Sequence, residues 1–122
     1  MSEHKCKALI LDSDPDALIT LQRTLENGGV DTAITWDGAE ARNLIRTTPF
    51  DVMLIGDHPP DITVETTLRD FRLRGASTPC LILRTTPRQM DSERLQRLGV
   101  VGVLPKQDPA RVLEEVRGTC GL

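Results

Sequence analysis

The sequence predicts a single three-layer, doubly wound α/β domain built on a five-stranded parallel sheet. Short aliphatic runs alternate five times with longer amphipathic segments, the rhythm of strands joined by right-handed helical crossovers. Asp, twice followed by Pro, stands where helices open, and Gly stands where they close. The chain has 122 residues, 39% of them hydrophobic, which is room for one core and no second. The domain is therefore expected to span 1–122, with its core over about residues 7–118.

Ala8-Leu9-Ile10-Leu11 is a continuous apolar run that stops at Asp12, as a strand buried on both faces does. Asp14 caps the following helix and Pro15 sits where a missing N–H costs nothing; Leu18, Leu21 and Leu25 line one face, and Gly28-Gly29 end it. Val30 to Thr35 is a weaker second strand. Asp37 caps a helix with Ala41, Leu44 and Ile45 inward, ending near Pro49. Asp51 to Ile55 is the third strand, followed by a loop from Gly56 to Asp61. The next helix runs from about Thr63 to Arg74 with Leu68 and Phe71 inward, and Gly75 breaks it. Cys80 to Leu83 is the fourth strand, and Gln89 to Leu98 a helix stopped by Gly99. Val100 to Leu104 holds the fifth strand, and Asp108-Pro109 opens a last helix carrying Val112, Leu113 and Val116.

Composition excludes several functions. The formal charge is −3, against the basic excess of a nucleic-acid binder, and the three aromatics, Trp36, Phe50 and Phe71, offer no base-stacking platform. No apolar run spans a membrane and the N-terminus lacks the apolar stretch of a signal peptide, so a soluble, cytoplasmic protein is expected. Cys6, Cys80 and Cys120 are odd in number and lack metal-ligand spacing; they are expected to be small buried apolar residues in a reducing compartment.

In a doubly wound sheet the functional crevice lies beyond the carboxyl ends of the strands. The residues there are Asp12-Ser13-Asp14, Gly56-Asp57, Arg84-Thr85 and Lys106. These positions, with Leu9 to Asp16, Phe50 to Ile55 leading to Pro60, Thr78-Pro79, and Gly99 to Lys106, resemble the receiver domain of two-component response regulators over about Lys7 to Val116. The resemblance implies a flavodoxin-like (βα)5 fold with strand order 2-1-3-4-5. It also implies a phosphorelay role: an Asp ending strand three accepts a phosphoryl group from a histidine kinase. Two acidic residues after strand one hold Mg²⁺, and a Thr or Ser and a Lys after strands four and five hold the phosphoryl oxygens. Such chemistry needs a carboxylate nucleophile with a hard cation and an ammonium to offset the developing charge.

This sequence keeps part of that set. Asp12 matches the first acidic position and Ser13 replaces the second. Counting forward from Asp51 and back from Pro60 both places Gly56 at the acceptor position. Arg84 falls at the Thr/Ser position with Thr85 after it. Lys106 matches the Lys, Gln107 replaces the frequent proline, and Val103 sits near the aromatic switch position. Gly56 has no side chain to phosphorylate, and one remaining carboxylate holds Mg²⁺ weakly. Arg84 or Lys106 is expected to pair with Asp12, leaving a degenerate pocket of Asp12, Ser13, Gly56, Arg84, Thr85 and Lys106 with no bound metal or cofactor.

The leading expectation is a phosphorylation-independent, receiver-like protein-interaction module with no enzymatic activity of its own. Its partners would be a histidine kinase, an effector or a second copy in a homodimer, with no nucleic acid and no membrane. The resemblance places the docking face either on the first helix or on the last two helices and the fifth strand, here Arg88, Arg94, Arg97, Val103 and Arg111, among interspersed Glu93, Glu114 and Glu115. The alternative is a working Mg²⁺-dependent phosphoacceptor using Asp57, with the metal on Asp12 and Asp14. It requires a one-residue slip, which turns a strand-end side chain to the other face. A flavodoxin-like flavin or nucleotide binder is the third reading; Ser13-Asp14-Pro15 offers a carboxylate where a phosphate cradle needs glycine or hydroxyls.

Overall fold

The computed structural model describes residues 5–56, 64–73, 75, 77–85 and 92–122. Ten elements alternate along the chain: β1 (Lys7–Leu11), α1 (Pro15–Asn27), β2 (Asp31–Thr35), α2 (Gly38–Thr47), β3 (Val52–Gly56), α3 (Val64–Leu73), β4 (Cys80–Arg84), α4 (Ser92–Arg97), β5 (Val100–Pro105) and α5 (Pro109–Thr119). All strand pairs are parallel and the sheet order is β2-β1-β3-β4-β5. This is the three-layer, doubly wound (βα)5 architecture that the alternation of apolar runs predicts.

Strand side chains alternate between the two faces. Ala8, Ile10, Val52, Leu54, Leu81, Leu83 and Leu104 meet Leu18, Leu21 and Leu25 of α1 and Val112 and Val116 of α5. Leu9, Met53, Ile55, Cys80, Ile82 and Val100 meet Ala41 of α2, Val64, Leu68 and Phe71 of α3, and Leu95 of α4. The central strands are buried on both faces, which is why they read as unbroken aliphatic runs.

The helix caps are those the sequence announces. The Asp14 carboxylate accepts from the amides of Asp16 (3.0 Å) and Ala17 (3.4 Å), Asp37 from Ala39 (2.9 Å) and Asp108 from Arg111 (3.2 Å). Gly99, expected as a helix stop, has φ +81° and closes the turn from α4 into β5. Gly56 departs from expectation. The sequence places it in a loop, but it is the last residue of β3, buried and paired with Leu83, because β4 carries the ladder one residue beyond the last β1 pair, Leu11 with Ile55. α4 is described only from Ser92, and Gln89 to Asp91 lie outside the described residues.

The cysteines require a correction. Cys80 is a buried free thiol as expected, but Cys6 and Cys120 are joined in a disulfide with Cα atoms 5.7 Å apart. They lie 114 residues apart in sequence. The fold unites them because β1 begins, and α5 ends, at the same edge of one sheet face. No helix among the described residues is long and apolar enough to cross a membrane.

Candidate functional site

Register builds the site. β1 pairs with β3 as Ala8↔Val52 through Leu11↔Ile55, so the next step sets Asp12 beside Gly56. Both residues continue the parity of Ala8, Ile10, Val52 and Leu54, and so belong to the face covered by α1 and α5. Asp12 is 1% exposed. Its Oδ1 accepts from the Asp14 amide at 2.9 Å, and its own amide donates to the Thr35 carbonyl at 3.1 Å. A Cβ placed on Gly56 would lie 2.5 Å from Asp12 Cγ and closer still to Oδ2. The Asp12 carboxylate thus fills the space into which a side chain at residue 56 would project.

The cation facing this carboxylate is Lys106, with Nζ 2.7 Å from Asp12 Oδ2 and both side chains almost fully buried. The contact lies off the axis of a well-formed hydrogen bond, so charge attraction rather than alignment holds it. Of the two cations proposed for Asp12, alternation explains the choice. Leu104 faces α1 and α5, and Lys106, two residues on, follows it; Arg84 follows Ile82, which faces the opposite layer. Arg84 ends β4 half-buried, and its carbonyl accepts the Lys106 amide at 2.8 Å, fixing where the lysine leaves the sheet.

Ser13 and Thr85 are exposed at the rim. Gln107, noted in the sequence only as a replacement for proline, has a structural part: its side-chain amide donates to the Thr85 carbonyl and ties the ends of β4 and β5 together. Beside Lys106 lies a hollow of about 280 Å³ lined by Asp14, Asp16, Thr20, Thr85 and Gln107. The Asp14 carboxylate is engaged in capping α1, which competes with the metal role considered for it.

The candidate docking face is assembled in part. Val103 is 41% exposed and Val101 57% exposed on the edge strand β5. Val101 was not singled out from the sequence. It sits at a shift in the β4–β5 register between Cys80 and Leu81, an irregularity that an apolar run does not reveal. Arg111 is exposed on α5. Arg94 turns toward α3, where its guanidinium meets Glu65 at 2.6 Å, and Arg97 lies 3.8 Å from Glu93. These two arginines are therefore parts of a mixed, mutually paired surface rather than a bare cationic patch. Arg88 and the alternative acceptor Asp57 lie outside the described residues.

No family model matches the sequence, and none of the curated proteins matches it. Solved structures do match in fold. The chain is similar to the receiver domain of a Francisella response regulator, at 25% identity over 93% of this chain and 95% of that one, with TM-score 0.81. It is similar to the Vibrio cholerae chemotaxis protein CheY4, at 23% identity over 95% and 99% of the two chains, with TM-score 0.83. A CheY-like receiver domain protein from Methanospirillum hungatei matches at 18% identity over 97% and 95%, again with TM-score 0.83. Over nearly its whole length, this chain has the fold of response-regulator receiver domains.

Proposed function

We propose that the protein is a receiver-like interaction module of two-component signalling whose pocket does not take up phosphate. The observation that carries this reading is the strand-end geometry. Gly56 sits beside Asp12 at the end of β3, where the counting from Asp51 and Pro60 puts the acceptor, and it has no oxygen to offer. Phosphoryl transfer onto a protein needs a nucleophile in line and cations to neutralise the transferring group. Here the ammonium that would meet the phosphoryl oxygens is engaged with Asp12.

Among the described residues, the donor set also fits Mg²⁺ poorly. Mg²⁺ demands oxygen ligands at near-octahedral positions. Asp12 offers one carboxylate, already held by Lys106 and the Asp14 amide, while Ser13 is exposed and Gly56 contributes no side chain. The pocket instead acts as a fixed internal brace between β1 and β5, and signalling runs through binding at the surface, with no catalysis by this chain. The exposed valines of β5 and Arg111 of α5 offer an apolar strip with a charged border to a protein partner, be it a histidine kinase, an effector or a second copy.

Incubating the chain with acetyl phosphate and Mg²⁺ and reading its intact mass tests the proposal. The mass is expected to stay unchanged. A gain of one phosphoryl group that disappears in Asp57→Ala would overturn the proposal and establish the working phosphoacceptor in its place.

A further inference from the structure

The disulfide lies at the opposite end of the sheet from the Asp12–Lys106 pair, so it carries an inference independent of the signalling role. Cys6 leads into β1, is 2% exposed, and belongs to the core packed under α1 and α5. Its carbonyl accepts the Asp31 amide at 2.9 Å, which anchors it to β2. Cys120 is the C-cap of α5 and is half-buried. Gly121, at φ +76°, reverses the chain there; its amide donates to the Gly118 carbonyl at 3.1 Å and the Leu122 amide to the Arg117 carbonyl at 2.8 Å. That double bond pattern is a Schellman cap, and it fixes the direction in which Cys120 leaves the helix. The Cα separation of 5.7 Å lies within the usual range for bonded cysteines. Each backbone is thus fixed within its own element by hydrogen bonds that do not depend on the sulfur–sulfur bond.

We propose that Cys6 and Cys120 are a reversible thiol–disulfide couple, a redox modification site that clamps the C-terminal turn of α5 to the start of β1. Glutathione disulfide is the class of oxidant it would meet. The more accessible Cys120 sulfur attacks one sulfur of the oxidant, and one glutathione leaves carrying a proton. Cys6 then attacks the mixed disulfide at Cys120, and the second glutathione leaves with the second proton. Two protein thiols and one glutathione disulfide become one protein disulfide and two glutathione thiols, and excess glutathione runs the sequence backwards. Reduction releases the far end of α5, whose remaining tie to α1 includes Arg117 Nη1 donating to the Gly28 carbonyl at 2.7 Å.

The Asp51 carboxylate lies within 4.8 Å of both sulfurs, so three donor atoms of a thiolate metal site are also gathered here. The direct sulfur–sulfur bond and the engagement of Asp51 Oδ2 with the Lys7 amide at 2.9 Å favour the disulfide.

The test equilibrates the folded chain in glutathione buffers from fully reducing to strongly oxidising, then quenches, denatures and alkylates it and reads the intact mass. Three alkyl groups are expected at the reducing end. At the oxidising end one is expected, on Cys80, with full return when the buffer is reversed. Hydrogen exchange in the last turn of α5 should slow on oxidation. Cys120→Ser should carry two alkyl groups in every buffer; if that variant fails to fold, the wild-type titration decides alone. Three groups throughout, or one group that native reduction cannot raise, would overturn the proposal. So would zinc that, added to the reduced chain, keeps both thiols unpaired under oxidation.

Discussion

Replacing Gly56 by Ala should destabilise the protein, although most Gly→Ala changes in a strand do the reverse. Gly56 has no positive φ, so alanine fits its backbone and should contribute roughly 0.5–1 kcal/mol by reducing unfolded-state freedom. The opposing effect is steric. The new Cβ would stand 2.5 Å from Asp12 Cγ, and Asp12 has no solvent to retreat into at 1% exposure. Moving its carboxylate breaks the 2.7 Å contact with Lys106 and the 2.9 Å bond from the Asp14 amide. Disrupting a buried pair costs about 3–5 kcal/mol. The net loss is therefore about 2–4 kcal/mol, a fall in Tm of roughly 10 °C for a domain of this size. Urea and thermal melts of Gly56→Ala, of Asp12→Ala and of the double variant form the cycle. The double variant should be clearly more stable than the sum of the two losses, because the overlap exists only when both side chains are present. A Gly56→Ala protein as stable as the parent would refute the placement of the Asp12 carboxylate against residue 56.

Two further outcomes follow from the same structure. Lys106→Met should cost about 3–5 kcal/mol in urea denaturation by leaving a buried carboxylate without its cation, whereas Asp12→Leu with Lys106→Met should recover most of that loss, since an apolar pair can replace a buried ionic one; equal losses would show that the pair is not the cause. Burial pushes the Cys80 thiol from 9.0 up to about 12, with Arg72 pulling the other way. The unfolded chain then gives up this proton from about pH 9 and the folded chain only near 12, so the contribution is whole below pH 9 and is lost as pH rises through that window, by about 4 kcal/mol. Cys80→Ala should lose stability less steeply than the parent between those pH values, and parallel curves would contradict the assignment.

Much of the fold was legible because its signals are local. The double burial of β1, β3 and β4 writes itself as aliphatic runs, and Asp14, Asp37 and Asp108 announce their helices. The strand-end residues of the site were legible for the same reason, since each follows a recognisable strand. What was not legible depends on pairing across the sheet. The choice of Lys106 over Arg84 rests on which face each strand end presents. Gly56 looked like a loop glycine, and only the ladder to Leu83 keeps it in β3. Arg94 looked like part of a cationic face until α3 supplied Glu65. The Cys6–Cys120 bond had a signal that spacing hides: the last helix of this doubly wound sheet packs on the face to which Cys6 belongs, and it ends where strand one begins.

The claim on which the functional account turns is that the pocket behind Lys106 stays in one state. The most direct measurement is an amide nitrogen–proton correlation spectrum of the chain, recorded before and after adding Mg²⁺ and then acetyl phosphate, with the signals of Ser13, Gly56, Thr85, Val103 and Lys106 followed individually. The account predicts that they stay in place through both additions. Saturable shifts on Mg²⁺, or a second set of signals spreading from Lys106 to Val103 once the phosphodonor is present, would contradict it.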